Sequence, residues 1–298
     1  MKCTRLVWLP LLCLAMGASA FAAETDGTIV SRSILTAPAK PATPLLNYSL
    51  EKIVYWSDGL RVVALVFHPV EVEGRRIPAI IFNRGGYLTR EPDLKQLPRF
   101  ERYARAGFVV VAPSYRGSDG GEGKDEVGGA DFDDVMNLLP LMTNLGFIDT
   151  GHLFMMGESR GGFMTLEAIR AGFPLRAAAT VGAATDFGRL LAADPRTYNQ
   201  MIPIVWPDFA RDRDAILERR SAVRWAGELH TPLLLMHGGA DGSVDPQQAI
   251  ELGRLLQAAG AVYELHVFAE GKHTLDDFAA ERDRETVEWF SRFMERGK

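Results

Sequence analysis

Strands and helices alternate along most of this sequence, and the alternation predicts an α/β fold on a mostly parallel, doubly wound sheet. Five apolar runs lack the polar alternation of half-exposed strands, and they alternate with helical stretches. The runs are Phe108–Ala112, Leu153–Met156, Ala177–Val181, Leu233–Met236 and Tyr263–Phe268. The helical stretches are Leu94–Ala106, Asp131–Asn144, Arg160–Ala171, Gln247–Ala259 and Thr274–Arg296. Helices on both faces with right-handed crossovers follow from this order.

The beginning of the sheet is expected to be antiparallel. Three further apolar runs, at Ile53–Trp56, Val62–His68 and Ala79–Asn83, precede the alternating region. The first two are separated by the turn residues Ser57–Gly59, which favour a hairpin.

Composition is that of a globular protein. The chain has 298 residues, of which 47% are hydrophobic and 24% charged, enough for one large domain or two small ones. The net charge is −5, and no block of like charge is present. This pattern supplies no electrostatic reason to expect a nucleic-acid partner.

Residues 1–20 resemble a signal peptide. A positive end at Lys2 and Arg5 precedes the apolar stretch Leu6–Met16, and Ala18–Ala20 matches the small-x-small cleavage pattern. We expect cleavage after Ala20, with Ala22 as the nearest alternative, a secreted or periplasmic protein, and no membrane span afterwards. An uncleaved anchor is the alternative, although the apolar run is short for a span.

Both cysteines, Cys3 and Cys13, lie in that segment. The mature chain is therefore expected to use no disulfide, no cysteine nucleophile and no thiolate-bound metal.

Three further segments are distinguished by composition. Residues 21–47 are rich in Thr, Ala and Pro and are predicted to be a flexible arm. Residues 48–298 are predicted to form the main domain. Within it, residues 186–229 interrupt the alternation with mostly helical character, and form either a small cap or a long surface excursion.

The sequence Gly157-Glu158-Ser159-Arg160-Gly161-Gly162 lies between an apolar run and a helical stretch. G-x-S-x-G in this context is the nucleophile elbow of the α/β-hydrolase fold, in which a sharp turn projects the serine above the sheet. A chance glycine-rich turn is the alternative. We predict an α/β-hydrolase with Ser159 as nucleophile.

In this fold the acid and then the histidine follow the serine along the chain. His273 lies in the loop after the last strand, where an imidazole can reach back to the serine. The other three histidines that follow Ser159 are at strand positions or at the wrong end of a strand: His230, His237 and His266. We therefore predict His273 as the general base.

Two aspartates follow the strand Leu233–Met236. Asp241 is closer to the strand end and lies between glycines, whereas Asp245 precedes a proline and a helix, where an N-cap is expected. Asp241 is favoured as the acid that orients His273.

The loop after Ala79–Asn83 is expected to complete an oxyanion hole. Its glycines leave backbone N–H groups accessible, so the predicted donors are the amide of Arg160 and that of Gly86 or Tyr87. The Tyr87 side chain could instead donate its hydroxyl or form a pocket wall.

These residues predict acyl transfer through an acyl-enzyme, with no metal and no organic cofactor. Three side chains are candidates for the substrate pocket. Trp206 and Phe209 could line it, or pack into a structural subcore. Glu158 could bind a substrate amine, although a structural role beneath the elbow is the favoured interpretation.

Four motifs together resemble prolyl-oligopeptidase-type serine peptidases. They are residues 157–162, 83–87, 115–118 and 231–238, and the similarity extends from Tyr48 to the C-terminus. The resemblance implies the triad Ser159, Asp241 and His273 on an α/β-hydrolase domain. This sequence departs from the family at Asn83-Arg84, where His-Gly is common. Residues 21–47 are also too few to form the β-propeller of the larger members.

We therefore expect a hydrolase acting on short peptides or small aminoacyl compounds. A carboxylesterase or dienelactone-hydrolase-like enzyme is the rival, because the same triad serves esters. A non-catalytic α/β-hydrolase scaffold is the third hypothesis. Nothing in the sequence indicates the oligomeric state.

Overall fold

The structure is a computed structural model that describes residues 25–35, 47–87 and 94–295. Its strands are β1 (Ile29–Ile34), β2 (Tyr48–Ser57), β3 (Leu60–Pro69), β4 (Ile77–Asn83), β5 (Val109–Pro113), β6 (Ile148–Glu158), β7 (Ala177–Val181), β8 (Leu233–Gly238) and β9 (Tyr263–Phe268). Its α-helices are α1 (Leu97–Arg105), α2 (Asp133–Met136), α3 (Leu138–Leu145), α4 (Arg160–Arg170), α5 (Phe187–Ala193), α6 (Pro195–Val205), α7 (Phe209–Arg220), α8 (Gln247–Ala258) and α9 (Ala279–Ser291). Short 3₁₀ turns lie at Leu94–Gln96, Ala130–Phe132, Ala222–Arg224, Ala226–Glu228 and Asp276–Phe278.

In this part of the chain nine strands form one sheet, in the order β1-β2-β3-β5-β4-β6-β7-β8-β9. Pairing is antiparallel from β1 through β3 to β5 and parallel from there to β9. The hairpin between β2 and β3 turns at Asp58 and Gly59, both with positive φ, as a two-residue type I′ turn requires. The predicted antiparallel start and mostly parallel sheet are confirmed.

Two apolar cores lie on opposite faces of the sheet. Alternate residues of β5 show the division, since Val109 and Val111 belong to one core and Val110 and Ala112 to the other. The first core is completed by α3, α4 and α8, and the second by α1 and α9. Burial on both faces explains why β5, β7 and β8 are almost entirely apolar.

The predicted flexible arm is wrong for residues 29–34. These residues form β1, an edge strand that pairs antiparallel with β2, with Arg32 opposite Ile53. Because most of β1 is exposed, it lacks the apolar run that identifies buried strands. Residues 21–24 and 36–46 of the predicted arm, and the proposed signal peptide, lie outside the described residues.

Three predicted helices differ in their bounds. The stretch predicted at Asp131–Asn144 is divided at Asn137 into α2 and α3. The α-helical part of the predicted Leu94–Ala106 begins only at Leu97, and α9 begins at Ala279 rather than at Thr274. Because α9 begins later than predicted, the loop that carries His273 is longer than expected.

Segment 186–229 is helical, as predicted, and contains α5, α6 and α7. Its buried side chains, including Trp206, Ile216 and Trp225, join the core beneath the sheet face covered by α4. No helix in the described part of the chain is both long and apolar enough to cross a bilayer.

Candidate active site

Ser159 lies at a sharp turn between β6 and α4, with φ 52° and ψ −121°. A side chain at Gly157 would overlap the carbonyl of Gly161, and one at Gly161 would overlap that of Asn83. Only glycine therefore allows this approach of strand, helix and neighbouring loop. The strand–turn–helix context predicted for G-x-S-x-G is present, and the positive φ of a non-glycine residue marks the strain of an elbow.

The three residues predicted as a triad lie together at the carboxyl ends of three strands. His273 Nε2 is 2.9 Å from Ser159 Oγ, and His273 Nδ1 is 2.8 Å from Asp241 Oδ2. Because a carboxylate only accepts, Nδ1 carries the hydrogen and Nε2 is left to accept from the serine hydroxyl. This chain of hydrogen bonds is the arrangement that activates a serine.

The carboxylate of Asp241 is completely buried yet well supplied with donors. Oδ1 accepts from the amides of Ser243 and Val244 at 2.8 and 2.9 Å. Burial alone would raise the pKa of Asp241, but hydrogen bonds from His237, His273 and Val244 hold that pKa well below its usual range. Asp241 therefore stays ionised to lower pH than an ordinary aspartate.

Asp245, the alternative acid, lies away from the imidazole. Its side chain is exposed, pairs with Arg189 at 3.0 Å and accepts from the amide of Gln247 at 2.9 Å. This is the helix-start role considered from the sequence.

Gly182, at the end of β7, makes room for the histidine–aspartate pair. Its φ is 54°, and a Cβ there would lie 3.2 Å from His273 Nδ1 and 3.3 Å from Asp241 Oδ2. Sequence reasoning missed this residue, although a glycine directly after an apolar strand was a signal that could have indicated a close approach.

The loop predicted to complete the oxyanion hole borders Ser159. Gly86 and Tyr87 both line the cavity beside it. The carbonyl oxygen of Gly86 accepts from Arg160 Nη1 at 3.0 Å. In a trans peptide the N–H points opposite to the C=O, so the amide of Tyr87 faces away from that guanidinium.

Two buried arginines hold this loop from behind. The guanidinium groups of Arg84 and Arg160 lie 4.8 and 4.3 Å from the ring centre of Tyr115. Arg84 donates to the carbonyl of Gly85 at 3.1 Å, so two consecutive carbonyls are held by arginines.

Arg160 is itself fixed by two buried carboxylates. Its guanidinium pairs with Asp125 at 2.8 Å and with Asp131. Burial would raise the pKa of Asp131, but Arg160 and the amides of Gly128 and Gly129 lower it overall. One residue thus joins the elbow, the Gly86 loop and the 125–131 loop.

An open cavity adjoins Ser159 and His273. Its wall is mainly apolar, and α5 and α6 supply much of it. The principal apolar lining residues are Val127, Ala184, Phe187, Leu190, Met201 and Val244.

The prediction that Trp206 and Phe209 line this cavity is wrong. Trp206 is buried behind Phe187, at 5.8 Å between ring centres, and donates from Nε1 to Glu126 O at 2.7 Å. Phe209 stacks on Trp206 at 5.7 Å. The aromatic pair therefore forms the structural subcore that was the alternative.

Glu158 is not on the cavity wall either. It is buried beneath the elbow and pairs with Arg99 at 2.5 Å. The structural role favoured from the sequence is the one observed, and a contact with a substrate amine is excluded by this burial.

The fold and the Ser–His–Asp geometry define a serine hydrolase of the α/β-hydrolase class. The sequence profile described as the prolyl oligopeptidase family matches residues 97–296. The chain belongs to that family, as its motifs predicted.

The relatives include short and long proteins. The chain is 26% identical over 253 residues to the uncharacterized peptidase YtmA of Bacillus subtilis, covering 85% of this chain and 95% of YtmA. It is 28% identical over 200 residues to the acylamino-acid-releasing enzyme of Sus scrofa, covering 60% of this chain and 26% of that enzyme.

Solved structures show the same fold. The Pyrococcus horikoshii acylaminoacyl peptidase superposes with a TM-score of 0.73 at 18% identity, over 85% of this chain and 43% of that one. Acetyl xylan esterase 1 from Thermoanaerobacterium sp. JW/SL YS485 superposes with a TM-score of 0.64 at 17% identity, over 87% of each chain. The chain thus spans less than half of the long peptidases and most of the esterase.

Proposed function

We propose that this chain hydrolyses short peptides or small aminoacyl compounds through an acyl-enzyme on Ser159. The observation that carries the proposal is the continuous hydrogen-bonded chain from Ser159 through His273 to Asp241 beside an open cavity. Ser159 Oγ attacks the acyl carbon while His273 Nε2 takes its proton. The imidazolium then gives that proton to the leaving amine, and water repeats the sequence to release the acid.

The amides of Arg160 and Tyr87 are proposed to bind the oxygen that becomes negative in the transition state. Arg160 is the first residue of α4, so its amide lacks an intrahelical acceptor. The positive end of the helix favours charge at the same place.

The acyl side of the substrate is proposed to be apolar. Leu190, Met201 and Val244 offer hydrocarbon surface next to the nucleophile, which binds apolar groups by excluding water. The names of the relatives, a peptidase and acylamino-acid-releasing enzymes, support an acyl donor with an amino-acid side chain.

Ester hydrolysis is the second candidate, because an esterase of similar chain length shares the fold over 87% of both chains. Esters and amides pass through the same acyl-enzyme and differ in the leaving group, so activity on both is compatible with the site.

A substrate panel tests the proposal. Aminoacyl-p-nitroanilides with Ala, Leu and Phe and p-nitrophenyl esters of acetate and octanoate are compared on the wild type and on Ser159→Ala. We expect kcat/KM to be highest for Leu or Phe anilides, with no turnover by the variant. Turnover of esters alone would replace the peptidase proposal with the esterase, and turnover of neither would reject both.

We also propose that the chain is exported, on the basis of its N-terminal sequence. N-terminal sequencing of the protein from the periplasmic fraction of a Gram-negative host is expected to begin at Phe21. A chain that retains Met1 and stays in the cytoplasm would contradict export.

A further inference from the structure

His237 lies one residue before the end of β8 and is completely buried. Its Nε2 is 3.1 Å from Asp241 Oδ2 and 3.0 Å from the carbonyl oxygen of Val244. Its Nδ1 has no hydrogen-bond partner among the described residues. The imidazole is thus enclosed by protein, and its Nε2 is directed at the carboxylate of Asp241.

The tautomer of His237 follows from its neighbours. A carboxylate oxygen and a carbonyl oxygen both accept, so Nε2 carries the hydrogen and shares it between them. Asp241 Oδ2 therefore accepts from two imidazoles, from His273 at 2.8 Å and from His237 at 3.1 Å.

We propose that His237 is a positioning residue for hydrolysis, which holds the carboxylate of Asp241 so that Oδ2 faces His273. The inference rests on the proposed role of Asp241 as the triad acid. His237 touches neither the serine nor the cavity, and it acts through the aspartate alone.

A closed set of hydrogen bonds supports this role. Val244 donates its N–H to Asp241 Oδ1 and accepts from His237 at its carbonyl. His237 therefore restrains one carboxylate oxygen directly and the other through Val244. Because Val244 also lines the cavity, the same contacts join the acid to the substrate wall.

The strand that carries His237 is bound to the loop that carries His273. A side chain at Gly238 would overlap the carbonyl of Gly271, and Ala240 donates to that carbonyl at 3.0 Å. The ionisable side chains facing Asp241 are His237 from β8 and His273 from the loop after β9. Without the His237 imidazole, His273 is the one side-chain donor to this carboxylate among the described residues.

Two variants separate a donor from a space-filling group. His237→Gln retains an amide nitrogen near the position of Nε2, whereas His237→Leu fills the space without a donor. We expect His237→Leu to lower kcat about 10- to 100-fold with KM almost unchanged, because a small misplacement of a catalytic group has effects of this size. His237→Gln should stay within about threefold of the wild type.

The pH profile is a readout that a merely structural role would not move. With one donor fewer, the carboxylate is less stabilised and accepts more strongly from the His273 imidazolium. The acid limb of kcat/KM for His237→Leu should therefore shift to higher pH by about 0.5–1 unit, and that of His237→Gln should not.

His68→Leu is the matched control, because His68 is also a buried histidine of the sheet but bonds to Pro69 O, away from the site. It should lower stability and leave the pH profile unchanged. If His237→Leu does not fold, His237→Asn takes its place. The asparagine side chain is too short for its amide to reach Asp241 Oδ2, so the expected result is the same.

The double variant Asp241→Asn/His237→Leu completes the test. If His237 acts through Asp241, the double variant is no slower than Asp241→Asn alone. A folded His237→Leu protein with wild-type kcat and pH profile would overturn the inference. If Asp241→Asn were fully active as well, the proposed function itself would fail, so the two failures are distinguishable.

Discussion

The guanidinium of Arg160 donates to the carbonyl oxygen of Gly86 at 3.0 Å. The residue next to Ser159 thereby fixes the orientation of a loop from a different strand. Since the trans peptide turns the Tyr87 amide away from the guanidinium, one side chain sets the direction of a proposed oxyanion donor while its own backbone supplies the other.

Arg160→Lys should therefore lower kcat on the order of 10²-fold with a small change in KM. Lysine keeps the charge near Asp125 and Asp131 but cannot contact both carboxylates and the Gly86 carbonyl at once. Steady-state kinetics on a p-nitroanilide measure the effect.

Arg116→Lys is the control for that variant, since Arg116 is equally buried and pairs with Asp134 at 2.7 Å, away from Ser159. Both variants should lose stability, and only Arg160→Lys should lose kcat. Equal kcat in the two variants would show that Arg160 is merely structural.

Asp241 and Asp245 are to be compared by matched substitution. Asp241→Asn should lower kcat about 10⁴-fold, because the amide favours the wrong imidazole tautomer. Asp245→Asn should leave kcat unchanged and cost at most about 1 kcal/mol at the start of α8. Kinetics and chemical unfolding of both variants decide the matter, and the reverse pattern would assign the acid to Asp245.

Leu190 and Ile216 are both buried in segment 186–229, but only Leu190 lines the cavity. Leu190→Ala should raise kcat/KM for bulky relative to small acyl groups, because it enlarges the acyl pocket. Ile216→Ala should leave that ratio unchanged, although both should lose about 2–5 kcal/mol of stability. An unchanged ratio for Leu190→Ala would remove α5 from the substrate site.

The buried carboxyl group of Glu167 is expected to make the folded protein less stable as the pH rises. Burial raises the pKa of Glu167 to about 8, against a smaller lowering by Arg220, and Oε2 has no partner in the described part of the chain. Between pH 4.5 and 8 the folded carboxyl thus holds a proton that the unfolded one has lost, so stability falls as the pH rises through this window.

Glu167→Gln removes this loss. The variant should gain stability relative to the wild type on going from pH 5 to pH 8, by roughly 1–3 kcal/mol. Urea unfolding at the two pH values measures the difference, and a gap that does not widen with pH would show that Glu167 is ionised in the folded chain.

The parts of the site that the sequence predicted are those tied to the order of strands. Ser159, Asp241 and His273 each follow a predicted strand, and the carboxyl ends of parallel strands meet at one edge. The exposed edge strand Ile29–Ile34 could not be recognised in this way, because it buries almost none of its residues.

The remaining residues depend on distances between loops. His237 was assigned to the strand because it follows an apolar run, and only the approach of Asp241 reveals its second contact. Trp206 was expected to line a pocket, with a place in the core as the alternative, and its position behind Phe187 shows that it belongs to the core. Neither contact can be predicted from the spacing of these residues along the sequence.

The central claim is that Ser159 is the activated nucleophile. Trypsin releases residues 125–160 as one peptide in which Ser159 is the single serine, so an adduct on that peptide identifies the site. After treatment with a fluorophosphonate, mass spectrometry should find one phosphonylated serine per chain there, with none in Asp241→Asn at short times. A folded wild-type protein that stays unlabelled, or is labelled on another peptide, would contradict the account.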